Sequence, residues 1–305
     1  MIPQFPKFKK LEFSDKTDVE ALTLKFAPYS DFNFMSMWSW DTKGSMQLSM
    51  LNNNLVVKFS DYVTGEAFYS FLGTNNVNET AKTLLEDAKQ NGITECLKLI
   101  PEVVVREIDT SNFHLEEDRD NDDYILPTDI LKKYHTPKTK SRAKAVRKFK
   151  KNFITRTELL DLNNPEIRNA IQTLFESWAK QHRYEKNVIH KELVAINRFI
   201  EHPDKERIMA IGIFIDSNLV GFCFTELLPG GYAMAHFWRV NLVVSPDLYA
   251  YLMQENGRVL SEHGCDFMNI EQDLGLPNLR KWKNSYGSDL FLKKYQIKAK
   301  VAIHS

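Results

Sequence analysis

One stretch near the C-terminus constrains this chain more than any other: Phe267-Met-Asn-Ile-Glu-Gln-Asp-Leu-Gly-Leu-Pro-Asn-Leu-Arg-Lys-Trp-Lys-Asn-Ser-Tyr286. Its first part alternates, with Phe267, Met268 and Ile270 apolar around Asn269, Glu271 and Asp273. A period of two is that of a strand, and it places the three polar residues on one face. Gly275 and Pro277 end the strand, and a proline suits the first turn of the next helix. That helix carries Arg280, Lys283 and Tyr286 at steps of three, which share a face. Two readings stand. Either strand end and helix face meet around a polar cleft, or the motif is an ion-paired joint that only holds strand to helix.

A weaker echo of this order lies in the first half. Asn52-Asn-Asn54 sits between apolar alternating runs (46–50 and 55–59), as Asp216-Ser-Asn218 sits between 207–215 and 219–227. Both are hairpin-turn signatures. A helix over 79–91 stops at Gly92 before a strand at 96–100, and Pro101 opens a short helix over 102–108. In the second half Gly264, the strand at 267 and Pro277 follow the same order. The first copy has Val103-Val-Val105 where the second has Leu279-Arg-Lys281. The recurrence reads as a duplication with one active half, dividing the chain into a structural domain 1–135 and an active domain 136–305.

Further elements fill this frame. A short strand is expected at Leu11–Phe13 and a helix over 16–26. The aromatic run Tyr29 to Trp40 reads as core, through Phe32, Phe34, Trp38 and Trp40. Amphipathic helices are expected over Pro165–Arg183 and 191–202, the first with Ile167, Ile171, Leu174, Phe175 and Trp178 inward. A strand over 233–242 carries His236 and Arg239; a lone strand histidine is more often a satisfied core residue than a ligand.

Composition sets the outer limits. A chain of 305 residues buries a large core and suits two domains. Forty basic residues balance forty acidic ones, so no global field selects nucleic acid or membrane, and any such preference is local. The start, MIPQFPKFKK, lacks an apolar core of signal length, and the longest apolar run, Ile208–Ile215, is too short to span a bilayer. Cys96, Cys223 and Cys265 are odd in number and lack metal-ligand spacing; they read as buried thiols of the cytoplasm.

The local exception is 132–151, strongly basic with no acid. Its helical part, 141–153, turns Ala143, Val146 and Phe149 to one side and Lys144, Arg147, Lys148 and Lys151 to another. It is either a solvated helix joining two domains or an arm for phosphates, whether of a nucleic acid, an anionic lipid surface or a nucleotide.

The run N-x-E-x-D-L-G-L-x-x-L-R-K-x-K-x-S-Y from Asn269, followed by Leu292-Lys-Lys-Tyr295, resembles the domain family at the cytosolic C-terminus of phosphatidylglycerol lysyltransferases. Tyr29-Ser-Asp-Phe-x-Phe is similar to soluble members built only of that domain. The resemblance implies an α/β (α+β) chain of tandem GNAT-like acyltransferase domains, each a mixed sheet flanked by helices and related to Fem-type aminoacyltransferases. It further implies that the strands at 233 and 267 splay to open a substrate cleft, with Tyr286 near the tyrosine general acid of many GNATs. Acetyl-CoA-using GNATs follow the first of these strands with a Gly-rich turn whose amides cradle pyrophosphate. Here Val243-Val-Ser-Pro-Asp247 has no glycine and adds an acid, which disfavours acetyl-CoA.

The expected function is therefore acyl transfer of aminoacyl type, from charged tRNA to an amine or hydroxyl, with no resident cofactor or metal. Glu271 or Asp273 would be the base or amino-group anchor and Tyr286 the acid. Asn269, Arg280, Lys283, Arg239 and His236 would hold substrate, and Lys144, Arg147, Lys148 and Lys151 phosphate. An acetyl-CoA N-acetyltransferase and a silent protein binding RNA or anionic lipid are the alternatives.

Overall fold

The structure is a computed structural model, describing residues 1–61, 64–181, 185–287 and 289–300. In chain order it runs β1 (Lys9–Lys10), α1 (Lys16–Thr23), α2 (Phe34–Trp40), β2 (Gln47–Leu51), β3 (Asn54–Ser60), β4 (Ala67–Leu72), α3 (Val77–Gln90), β5 (Leu97–Pro101), α4 (Glu102–Val105) and β6 (Phe113–Glu117). It continues through β7 (Asp123–Pro127), α5 (Thr128–Lys133), α6 (Lys140–Asn152), β8 (Arg156–Leu159), α7 (Pro165–Lys180) and α8 (Lys186–Glu201). The last part is β9 (Ile208–Ile215), β10 (Asn218–Leu228), β11 (Tyr232–Val240), α9 (Leu248–Glu262), β12 (Phe267–Asn269), α10 (Pro277–Asn284), β13 (Leu290–Leu292) and β14 (Lys294–Ala299). Two compact units result, one from residues 1–123 with the chain from Phe291 onward, the other from Tyr124–Leu290.

The expected boundary at 135/136 moves to 123/124, and the C-terminal strand changes units, because ladder partners decide membership. β7 pairs antiparallel with β12, through Met268↔Leu126 and Asn269↔Ile125, while β14 lies between β5 and β6. Each of these strands completes a sheet far from it in sequence, which local periodicity does not record. The strand expected at Leu11–Phe13 is also absent. Asp15 accepts the backbone N–H of Glu12 at 3.0 Å and folds 13–15 into a tight helical turn, leaving β1 upstream of it. The helix expected to reach Arg183 ends at Lys180, and Arg183 lies outside the described residues.

In the first unit β1-β2-β3-β4 form an antiparallel sheet, and β5-β14-β6 a second. Asn52 and Asn53, both at positive φ (52° and 60°), close the β2–β3 hairpin as expected of asparagines. Phe32, Phe34, Leu55, Val57 and Phe71 are buried, whereas Trp38 and Trp40 are only half-buried. β14 carries Lys294, fully buried and paired with Asp31 and with Asp123, the latter at 2.8 Å. Ser30 binds the same Asp123 through its backbone N–H (2.7 Å) and its hydroxyl (2.6 Å). Burial works against the ammonium, but the two carboxylates outweigh it and raise its pKa. The Tyr29-Ser-Asp run thus builds a buried ion cluster.

In the second unit the strands follow the order β13-β7-β12-β11-β10-β9-β8, with β13 entering at Leu290. β9, β10 and β11 are antiparallel neighbours, and β11 and β12 run parallel. β10 is apolar and buried over most of its length, as a central strand covered on both faces should be. Phe199 of α8 stacks on Phe224 (5.7 Å) and meets Phe237 edge-on (5.6 Å), tying helix to sheet. α9 approaches α5 closely at Gly257, where a Cβ would lie 2.5 Å from Leu131 Cβ and 2.9 Å from the Lys132 backbone nitrogen. Both units share one order of elements: two hairpin strands, a third strand, a helix, and a fourth strand paired antiparallel with one distant in sequence. The fold is α+β and GNAT-like.

Candidate active site

The motif at 267–286 forms at the place where two parallel strands part. β11 and β12 pair from Tyr232↔Phe267 to Met234↔Asn269. β12 then stops, while β11 continues to Val240 beside β10. The expectation that Asn269, Glu271 and Asp273 share a strand face fails here. Glu271 (φ 60°), Leu274 (φ 54°) and Gly275 (φ 69°) turn the chain left-handed three times, so the period of two ends at Asn269. Asn269 starts the turn, its side-chain oxygen accepting the N–H of Glu271 at 2.6 Å.

Helix α10 then locks the loop. Lys283, almost wholly buried, donates to three successive backbone carbonyls, those of Ile270, Glu271 (2.9 Å) and Gln272 (2.6 Å). Asp273, fully buried, takes a forked pair of bonds from Arg280 (both 2.8 Å), one from Tyr124 Oη (2.6 Å) and one from Gly275 N–H (2.9 Å). Burial alone would raise its pKa, but the bonds from Arg280, Tyr124 and Gly275 together lower it. An acid with its lone pairs so engaged is a poor proton acceptor. Asp273, Arg280 and Lys283 therefore build the ion-paired joint that the sequence left open. Glu271 is half-buried in the same loop.

Tyr286 differs from its neighbours. It is fully buried, and its hydroxyl has no hydrogen-bond partner among the described residues. Trp282 meets its ring edge-on at 4.9 Å, and the Arg142 guanidinium lies 4.5 Å above it. Arg142 is placed by donating to the hydroxyl of Ser285. Burial pushes the phenol well above its usual pKa, with Arg142 opposing, so it stays protonated at neutral pH and is a donor. A half-exposed aromatic wall adjoins it: Trp238 of β11 stacks on Trp282 at 6.0 Å and 13°, and Tyr249 of α9 meets Trp282 edge-on. The sequence reading missed Arg142, Trp238 and Trp282. The helix expected to carry Tyr286 ends at Asn284, and Tyr286 lies in the turn that follows it; Trp282, four residues before Tyr286, was still a usable signal, while the other two come from distant elements.

The remaining expected residues are placed elsewhere. His236 is buried, 3.3 Å from Glu226 and against the ring of Phe199 (4.8 Å), a core position. Arg239 pairs with Glu192 of α8, donates to the carbonyl of Trp238 (2.6 Å) and lies over Trp178 at 4.2 Å. Lys144, Arg147, Lys148 and Lys151 are all exposed on α6, whose Val146 and Phe149 are buried. After β11 the amides of Leu242 and Val243 are taken by Gln181 (3.1 Å) and Asn241 (3.1 Å), and that of Asp247 by Ser245 (3.1 Å). The Asp247 carboxylate pairs with Lys148 at 3.0 Å. Among the described residues no group of three or more His, Cys, Asp or Glu is placed to hold a metal, and no helix is long and apolar enough to cross a membrane.

Parallel strands that part beyond Asn269, followed by a short helix and a buried phenol whose hydroxyl has no partner among the described residues, fit an acyltransferase architecture of the GNAT-like class. Within it, the chain belongs to the family described as phosphatidylglycerol lysyltransferase, C-terminal, whose profile matches residues 25–298. Its fold is similar to that of a conserved protein of unknown function from Bacteroides thetaiotaomicron (TM-score 0.81, 20% identity, covering 98% of this chain and 100% of that one). It is also similar to L-PGS from Bacillus licheniformis (TM-score 0.63, 11% identity, 98% and 94%) and to FemX (TM-score 0.57, 9% identity, 95% and 96%). No curated protein matches the chain.

Proposed function

We propose that the chain is an aminoacyltransferase that moves an aminoacyl group from charged tRNA to an amine or hydroxyl, in the cytoplasm where that donor resides. The observation that carries the reading is the Tyr286 hydroxyl, buried and without a hydrogen-bond partner among the described residues, beside the Trp282 that stacks on Trp238 of β11. A buried donor without a partner costs stability, about 1–3 kcal/mol, and such a cost is met where a substrate completes the bond. In aminoacyl transfer the acceptor attacks the ester carbonyl and the ester C–O bond to the ribose breaks. The acceptor's proton passes to a base, for which Glu271 is proposed, and the leaving ribose oxygen takes a proton from Tyr286. Arg142 above the phenol ring supports charge that develops on its oxygen. Trp238 and Trp282 give a wall on which a terminal base stacks.

Three features support this donor over acetyl-CoA: family membership, loop amides after β11 already engaged by Gln181, Asn241 and Ser245, and an acid at the start of α9. The first unit is read as a duplicated copy without a site, since its counterpart of α10 is Glu102–Val105 with Val103-Val-Val105. The α6 cations are a polyanion-binding face.

The test is incubation of the protein with a mixture of charged tRNAs and candidate acceptors, scoring which aminoacyl ester is consumed and where the label goes. Loss of one ester with label in an acceptor is expected. Stable esters, with acetyl-CoA consumed instead, would move the chain to the acetyltransferase class. Stability of both donors would make it a binding protein.

A further inference from the structure

We propose that β8, at the edge of the second unit's sheet, pairs antiparallel with β8 of a second copy of this chain. The proposal is independent of the transferase reading, since β9 and β10 separate β8 from β11, and it is tested without any activity.

The backbone comes first. β8 ends the seven-stranded sheet, and among the described residues β9 is its ladder neighbour. The two strands run in register from Arg156↔Phe214 to Leu159↔Ile211, and one step further the Ala210 carbonyl accepts the N–H of Leu160 at 2.7 Å. Hydrogen-bonded pairs alternate along an antiparallel ladder. Arg156, Glu158 and Leu160 therefore bond to β9, while Thr157 and Leu159 turn their N–H and C=O groups away from the sheet. The alternation begins before the ladder does, because Phe153, Thr155 and Thr157 are half-buried and Ile154, Arg156 and Glu158 are exposed. Free edges are commonly blunted by proline, lysine or a bulge. Here Ile154-Thr-Arg-Thr-Glu-Leu-Leu160 holds no proline, lysine or glycine, and its pairing with β9 has no register shift.

The side chains then select the partner and the register. Set Thr157 opposite Thr157 of the second copy, across a twofold axis. The outward groups of Thr155, Thr157 and Leu159 then meet as hydrogen-bonded pairs. Arg156 falls opposite Glu158 of the second copy, and Glu158 opposite its Arg156. These are the closer, non-hydrogen-bonded positions, where opposite charges attract across strands. The same register brings Ile154, 95% exposed, opposite Leu160 of the second copy. Leu160 is one wall of a cleft of about 270 Å³ that Leu162, Ile208 and Met209 also line, so the exposed isoleucine gains apolar cover. Moving the axis to residue 156 or 158 gives the neighbouring registers that still pair the outward groups. Those set Arg156 against Arg156, or Glu158 against Glu158, and like charges directly opposite repel. An antiparallel copy of β8 thus carries the inverted order of charge that this edge needs. The paired segment is short, so it buries less than the ~1,600 Å² of a standard interface, and a reversible dimer is expected.

The test is sedimentation equilibrium of the full chain from about 1 μM to about 1 mM, the span of weak association. Monomer should pass to dimer as concentration rises. R156E and E158R each set like charges opposite one another, and each should raise the dissociation constant on the order of a hundredfold. Mixed in equal amounts, the two variants bring opposite charges together at both positions, and a heterodimer of near-parental affinity is expected. T157P deletes the central outward N–H, a change an edge strand tolerates, and should weaken the dimer by roughly tenfold or more. Melting temperatures at monomeric concentration should stay near the parent's, because Arg156 and Glu158 are exposed and their pairing within one strand contributes little. A parent that stays monomeric throughout overturns the proposal. So does a dimer that T157P and both charge variants leave unchanged, or a mixture of R156E and E158R that fails to recover it.

Discussion

Changing Asp273 to asparagine separates a structural joint from a catalytic acid in a single variant. The amide of Asp273→Asn would keep one acceptor oxygen for the Gly275 N–H or the Tyr124 hydroxyl, but it cannot accept the forked pair from Arg280 as an anion. Removing one member of a buried ion pair costs about 3–5 kcal/mol. Arg280 remains 36% exposed and can turn toward water, so the lower end, about 3 kcal/mol, is the better figure. For a unit of this size that is a fall in melting temperature of about 6–12 °C. The pH dependence carries the sign. The folded pKa of Asp273 is depressed, so its stabilisation is present above the unfolded value of about 3.9 and lost as pH falls through the lower folded value. The variant should therefore lose stability at neutral pH and show a shallower acid limb than the parent. Scanning calorimetry from about pH 2 to 8, a range that spans this loss, with turnover measured on the same samples below the transition, checks both. An unchanged melting temperature with transfer abolished would refute the reasoning and make Asp273 the catalytic base.

Tyr286→Phe should do the reverse. Transfer should fall by about 10²–10⁴-fold, the usual contribution of a positioned acid, while melting temperature holds or rises, because the deleted hydroxyl has no partner among the described residues; single-turnover rates with charged tRNA read the first and calorimetry the second. Lys294→Met should destabilise the first unit by about 3–5 kcal/mol, leaving Asp31 and Asp123 buried without their cation. In the parent, Lys294 has a folded pKa raised above its unfolded value, so its stabilisation is complete below about pH 10.4 and lost only as pH rises through the folded value. Urea unfolding at about pH 7 and about pH 11, on either side of the unfolded value, tests this: the gap between parent and variant should narrow at the higher pH.

Much of the architecture could be read locally. The asparagine hairpin at 52–54, the helix stops at Gly92 and Gly264, the start of α10 at Pro277 and the inward faces of α7 and α8 each follow from a handful of adjacent residues, because turn chemistry and hydrophobic period are short-range properties. The motif at 269–286 was legible as important for the same reason: it concentrates both charge signs between a strand and a proline-started helix. What those charges do was not legible. Three left-handed residues cut β12 short at Asn269, and a positive φ at Glu271 or Leu274 is a property of the turn, not of the residue type. Once the strand ends there, Lys283 is spent on backbone carbonyls and Arg280 on Asp273, while the Tyr286 hydroxyl is left without a partner among the described residues. The companions of Trp282 and Tyr286 are drawn from α6 (Arg142, over Tyr286) and β11 (Trp238, on Trp282), elements far from α10 in the chain, and strand membership was likewise decided by ladders between β7 and β12 and between β14 and β5. The sequence by itself determined which local pieces this chain makes and where its chemistry is concentrated. Only the tertiary structure decided which charges neutralise one another and which hydroxyl is left without a partner among the described residues, because burial and partnership depend on contacts between residues that no local pattern connects.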